Sequence, residues 1–172
     1  DSNGQISVRA ETIRIQNTTL DSNKQMTLDA DGSIDLSTAR LTSNKQITVS
    51  GATLSAIGTT ISTNKQIDID VRGAVDVRNA QFDTNKQISL SGSVIDARGA
   101  TFDTNKAISL VSDTSIDLST ATITTKKQAT AVLGTTLSVD ELSVRDNDDT
   151  LTYSPSGVSV EGDTTQGDVA PG

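Results

Sequence analysis

Apolar residues along this chain fall in short alternating runs. Ile47-Thr48-Val49, Ile67-Asp68-Ile69, Ile88-Ser89-Leu90 and Ile108-Ser109-Leu110 are copies of one run. Ile13-Arg14-Ile15, Ile34-Asp35-Leu36, Val75-Asp76-Val77, Ile95-Asp96-Ala97 and Ile116-Asp117-Leu118 are copies of a second. A third centres on Leu20, Leu41, Ile61, Phe82, Phe102 and Ile123. A period of two places the apolar side chains on one face of a strand, whereas a helix requires a period near 3.6. The β-branched content agrees with strand. The pattern predicts three short strands per unit.

The units recur with a fixed spacing, the mark of a repeat architecture. The corner Thr63-Asn64-Lys65-Gln66 returns as Ser22-Asn23-Lys24-Gln25, Ser43-Asn44-Lys45-Gln46, Thr84-Asn85-Lys86-Gln87 and Thr104-Asn105-Lys106-Ala107. Fainter copies are Ser2-Asn3-Gly4-Gln5 and Thr125-Lys126-Lys127-Gln128. Steps between copies alternate 20 and 21 residues. Second to third strand is always seven residues, and third strand to the next Gln position always five. The alternation therefore lies in the turn between strands one and two. No such unit buries a face alone, but stacked units do. The prediction is an all-β, parallel β-solenoid of triangular section, with three strands per coil and about seven coils. Parallel crossovers are right-handed in nearly all cases, so right-handed coiling is expected. At ~4.8 Å per coil the rod is roughly 34 Å long.

Corner chemistry supports the coil. Asn17, Thr38, Gly58, Asn79, Gly99 and Thr120 follow strand two, and Asn and Gly accept the left-handed backbone of a sharp bend. Hydroxyls at Ser22, Ser43, Thr63, Thr84, Thr104 and Thr125 are placed to cap backbone at the third corner. The solenoid is expected over 1–145. Leu151-Thr152-Tyr153 and Val158-Ser159-Val160 flank Ser154-Pro155-Ser156-Gly157 and read as a hairpin cap over 146–161. A flexible tail is expected over 162–172.

Composition narrows the function. Among 172 residues the hydrophobic fraction is 33% and the aromatic fraction 2%, which suits a narrow core of small aliphatic side chains. The net charge of -8 opposes nucleic acid. No basic amphipathic helix or long apolar run suggests membrane insertion. Cys and His are absent, which removes the common nucleophile and base as well as thiolate and imidazole metal ligands. The turns carry no insertion to shape a cleft. No catalytic, cofactor-binding or metal-binding residue is assigned, and no cofactor is implied.

Three sets of residues remain as candidates. Asn23, Asn44, Asn64, Asn85 and Asn105 form a corner ladder whose amides fix register. Lys24, Lys45, Lys65, Lys86 and Lys106 form a like-charged column, and Asp35, Asp76, Asp96 and Asp117 form another. Both are solvated faces or lateral contacts between rods. Gln5, Ile6 and Val8 at one end, and Leu151, Tyr153, Val158 and Val160 at the other, are candidate end-to-end contacts, because an open strand edge templates another chain. The outward third-strand pairs, which run from Thr19/Asp21 to Thr122/Thr124, are too irregular for ice binding.

The run Ala39-Arg40-Leu41-Thr42-Ser43-Asn44-Lys45-Gln46-Ile47-Thr48-Val49-Ser50-Gly51-Ala52-Thr53-Leu54 resembles the filamentous-haemagglutinin-type repeats of large secreted adhesins. The resemblance covers roughly residues 1–140 and implies a right-handed stalk acting as a passive, extended scaffold. Bactofilin-like cytoskeletal solenoids, with shorter coils, are a second comparison. The leading expectation is a non-enzymatic structural protein, extracellular or at the cell surface. It forms a shaft, or stacks on itself or on upstream parts of a longer chain into a filament. An adhesin module that recognises carbohydrate or a surface, and an intracellular bactofilin-like polymer, are the alternatives.

Overall fold

The computed structural model describes residues 1–154 and 157–172. Its strands form three sheets, and each of the first seven coils contributes one strand to each sheet. The first sheet orders nine strands from Ile6–Ala10 to Asp168–Pro171. The second orders eight, from Ile13–Arg14 to Ser159–Glu161, and the third seven, from Thr19–Ser22 to Ser143–Arg145. The chain is an all-β parallel β-solenoid of about eight turns.

Like residues stack on like. Ile67 pairs with Ile47 on one side and Ile88 on the other. Val75 lies between Leu54 and Ile95, and Phe82 between Ile61 and Phe102. The inward columns are almost completely buried, while their outward neighbours are not. A coil this narrow holds few side chains, so a low aromatic content fills it. The two phenylalanines stack with ring centroids 4.9 Å apart and planes 3° from parallel. This is an aromatic pair inside an otherwise aliphatic column.

The 20/21 alternation has a steric cause. The first and second strands are joined by two residues after Met26–Ala30 (Asp31 and Gly32) but by one after Ile47–Gly51 (Ala52). Where the connection is short in interior coils, at Gly51 and Gly92, the inward position is glycine, while the first coil, open on one side, carries Ala10 at the same spacing. A Cβ on Gly92 would stand 2.6 Å from Val75 Cγ2 and 2.9 Å from the Gly73 carbonyl. Where it is long, Ala30, Val71 and Ser112 fit.

The C-terminal hairpin is corrected. Pro155 and Ser156, the centre of its expected turn, lie outside the described residues. The flanking strands do not pair with each other. Thr150–Ser154 runs parallel to Ala129–Val132 in the first sheet, and Ser159–Glu161 runs parallel to Thr136–Ser138 in the second. The expected flexible tail is corrected as well, since Asp168–Pro171 pairs parallel with Thr150–Ser154. An antiparallel pair would have left Ala129 and Leu137 uncovered. A further coil instead buries both, with Leu151 over Ala129 and Val160 over Leu137.

Candidate functional site

The third corner is built from its hydroxyl outward. Ser43 Oγ donates to the Lys24 carbonyl of the preceding coil at 2.5 Å and accepts from the Lys45 N–H of its own at 3.0 Å. Thr63, Thr84, Thr104 and Thr125 make the same two bonds, to the carbonyls of Lys45, Lys65, Lys86 and Lys106 and from the N–H groups of Lys65, Lys86, Lys106 and Lys127. These hydroxyls are buried. Each ties its own turn to the turn below and fixes the lysine backbone.

The asparagines lie outside this bolt. Asn23 Nδ2 donates to Asn3 Oδ1 at 2.9 Å, Asn44 to Asn23 at 2.9 Å, Asn64 to Asn44 at 3.2 Å, Asn85 to Asn64 at 3.4 Å and Asn105 to Asn85 at 2.9 Å. All are exposed. The ladder runs in one direction and stops where Lys126 takes the asparagine position.

With their backbone pinned, the side chains of Lys24, Lys45, Lys65, Lys86, Lys106 and Lys127 form a column one coil apart. With Gln5, Gln25, Gln46, Gln66, Gln87 and Gln128 they line one groove of about 1250 Å³, which runs from the first coil to Asn147. Among the described residues none of these lysines makes an ion pair. Gln25 and Gln46 donate to Thr27 Oγ1 and Thr48 Oγ1, each at 3.3 Å. No family model, curated protein or solved structure matches the chain. The site is therefore read from its chemistry alone.

The aspartate column stands on the second sheet, half-buried and already engaged. Asp35 Oδ1 accepts the Ser37 hydroxyl at 2.7 Å and the Ser37 N–H at 3.0 Å. Asp76 and Asp96 each accept a two-nitrogen fork, from Arg78 at 2.9 and 2.8 Å and from Arg98 at 2.9 and 2.6 Å. Arg78 also reaches Asp96, and Arg98 reaches Asp117, each at 3.7 Å. The result is an Asp–Arg zipper climbing the coils. Burial pushes the Asp96 carboxyl up, but the bonds from Arg98 and the charge of Arg78 outweigh it and hold it below the usual range. The side-chain bond from Ser37 is the largest influence that lowers Asp35. Arg78 and Arg98 offset part of the column's charge within the chain, at Asp76, Asp96 and Asp117, while Asp35 is bonded to the uncharged Ser37 and Gln16.

The expected end contacts divide. Ile6 and Val8 lie half-buried on the edge strand of the first sheet, and Gln5 lines the groove. Val160 is 37% exposed on the last strand of the second sheet, with Val158 partly buried beside it. Leu151 is fully buried and Tyr153 half-buried beneath Asp168–Pro171, so neither is at the rod end. Sequence reasoning did not single out the glutamine column as a site. Its signal was the Lys-Gln pair closing each repeat.

Proposed function

We propose that this chain is a non-enzymatic structural protein, a length of solenoid shaft of filamentous-haemagglutinin type, secreted or held at a cell surface. It is lengthened axially by further coils, which are either more of the same chain or copies stacked head to tail. The observation that carries this reading is the state of the first coil. Ile6, Val8 and Ala10 face inward but are only partly buried, while Met26, Leu28 and Ala30 beneath them are buried. The edge strand Ile6–Ala10 offers unpaired backbone along the same face. Apolar side chains alternating beside free ladder groups are complementary to another parallel coil.

Negative-stain microscopy and sedimentation velocity across a concentration series test self-stacking. Rods longer than one chain are expected, and Ile6→Lys with Val8→Lys should abolish them by placing charge on the mating face. A single concentration-independent monomer would sink head-to-tail assembly and leave the shaft as part of a longer chain. The location is tested by fractionating the producing cells. Recovery in the cytosol would overturn the secreted reading in favour of an intracellular polymer.

A further inference from the structure

We infer that the Lys–Gln groove is a binding site for one extended strand of a carboxylate-bearing polysaccharide, laid along the rod axis. This does not depend on axial assembly. The groove spans seven coil steps, or ~34 Å. Six of its seven lysines stand one per coil from Lys24 to Lys127, at ~4.8 Å intervals, and Lys126 lies beside the last. All are exposed, and among the described residues none has an internal carboxylate partner, whereas every ion pair found there uses arginine. Holding like charges in register is costly unless an anion sits among them.

The chain supplies no matching anion. Of the second-sheet aspartates, Asp76, Asp96 and Asp117 are held by Arg78 and Arg98, Asp35 is bonded to Ser37 and Gln16, and Ser55 interrupts the column. On the third sheet the outward row reads Asp21, Thr42, Ser62, Asp83, Asp103, Thr124, so its carboxylates miss half the coils. A second copy therefore presents no face with one carboxylate per coil. The anion comes from outside.

Spacing and shape select the polymer. An extended peptide repeats the same face every ~6.7 Å and falls out of step with the coils. Phosphates of one duplex strand follow every ~3.4 Å, also out of step, and a duplex would meet the acidic faces as well. Built from bonds of about 1.5 Å, a six-membered sugar ring linked through opposite corners advances its chain by on the order of 5 Å, one ring per coil. Successive rings turn about the chain axis, so a uronate faces the lysine column about every second ring, ~10 Å or two coil steps, and stays in step with it. Glutamine amide groups not engaged by Thr27 and Thr48 serve ring hydroxyls, and the adjoining row of Thr27, Thr48, Ser89 and Ser109 is interrupted by one carboxylate, Asp68. Among the described residues the groove has no aromatic lining on which a neutral sugar would stack, so charge is its means of selection. At physiological ionic strength the screening length is ~8 Å, and a ligand in the groove feels the lysines more than the net charge of the rod.

The test is calorimetric titration of the full chain with polygalacturonate, its methyl-esterified form, inorganic polyphosphate and duplex DNA. Polygalacturonate is expected to bind with an affinity that falls as salt rises, and the esterified form is expected not to bind. Replacing Lys45, Lys65 and Lys86 by Gln should weaken binding by at least about tenfold. Replacing them by Arg should preserve it. Replacing Arg14, Arg40 and Arg72 by Gln, away from the groove, is the charge-matched control and should change affinity less than about twofold. Absence of polygalacturonate binding, equal losses in both Gln triples, or equally tight polyphosphate or DNA binding would each overturn the proposal. So would a Lys-to-Gln triple that alters sedimentation, because that result assigns the groove to a second copy.

Discussion

Positive φ at the second corner shows how single residues set the coil. Asn17, Thr38, Gly58, Asn79, Gly99 and Thr120 lie between 50° and 67°. Glycine and asparagine take this region readily, but threonine does so against its branched Cβ. Thr120→Asn is therefore expected to stabilise the protein by about 0.5–1 kcal/mol in urea denaturation. Gly99→Ala should cost about 1–2 kcal/mol. Its new Cβ would also meet Asn79 Oδ1 at 2.3 Å, so Asn79 must move. Acidity is also set residue by residue. Burial, reinforced by Asp70, raises the Asp68 carboxyl above its ordinary 3.8. The folded state then holds that proton more tightly than the unfolded chain, so ionisation of Asp68 subtracts stability, and the loss is relieved as pH falls through its folded value. Asp35 and Asp96 are lowered and have the opposite sign. The stability they contribute is complete above the unfolded value and disappears as pH falls through the folded one. Asp68→Asn should raise Tm at neutral pH by a margin that shrinks in acid. Asp96→Asn should lower it at neutral pH by a margin that shrinks as pH falls below the ordinary carboxylate range.

At the scale of the element, the corner is held by its buried hydroxyl more than by its asparagine. Thr84 bonds the Lys65 carbonyl and the Lys86 N–H, and both lose their partner in Thr84→Ala. That variant should lose about 1–3 kcal/mol, with rescue by Thr84→Ser. Asn64→Ala removes exposed amide bonds and should cost less than about 1 kcal/mol. If the asparagine proved the costlier loss in denaturant melts, the ladder and not the hydroxyl would be the element's bolt. The strand and corner positions were legible because each is a short-range pattern repeated at fixed spacing. The hairpin misreading arose at the same scale. Leu151-Thr152-Tyr153 and Val158-Ser159-Val160 alternate identically whether they pair antiparallel with each other or parallel with Ala129 and Leu137. Local alternation carries no information about the partner strand.

For the whole molecule, stability is close to a sum over coils and the interfaces between them, as in other stacked repeats. Interior coils are covered on both sides and the first on one. Amide hydrogen exchange should show Ile67–Val71 more protected than Ile6–Ala10. Uniform protection along the rod would mean that the coils open only together. The groove exists only at this scale. Lys65 and Gln66 are ordinary surface residues in one coil, and they form a channel wall because eight turns align them.

By itself the sequence determined the strands, their order and their three-sheet coil, because a repeat places equivalent residues at equivalent heights and alternation says which face is inward. It also showed that lysine and aspartate would form columns. Only the tertiary structure decided what those columns are. The aspartates became a zipper closed by Arg78 and Arg98, since those guanidinium groups reach both their own coil and the next. Among the described residues the lysines make no ion pair along their groove, since the hydroxyl bolt fixes their backbone at a corner whose neighbouring columns are mostly asparagine and glutamine. The difference is physical. Spacing along a chain fixes which residues stack, but the reach of side chains between stacked turns fixes which charges are satisfied.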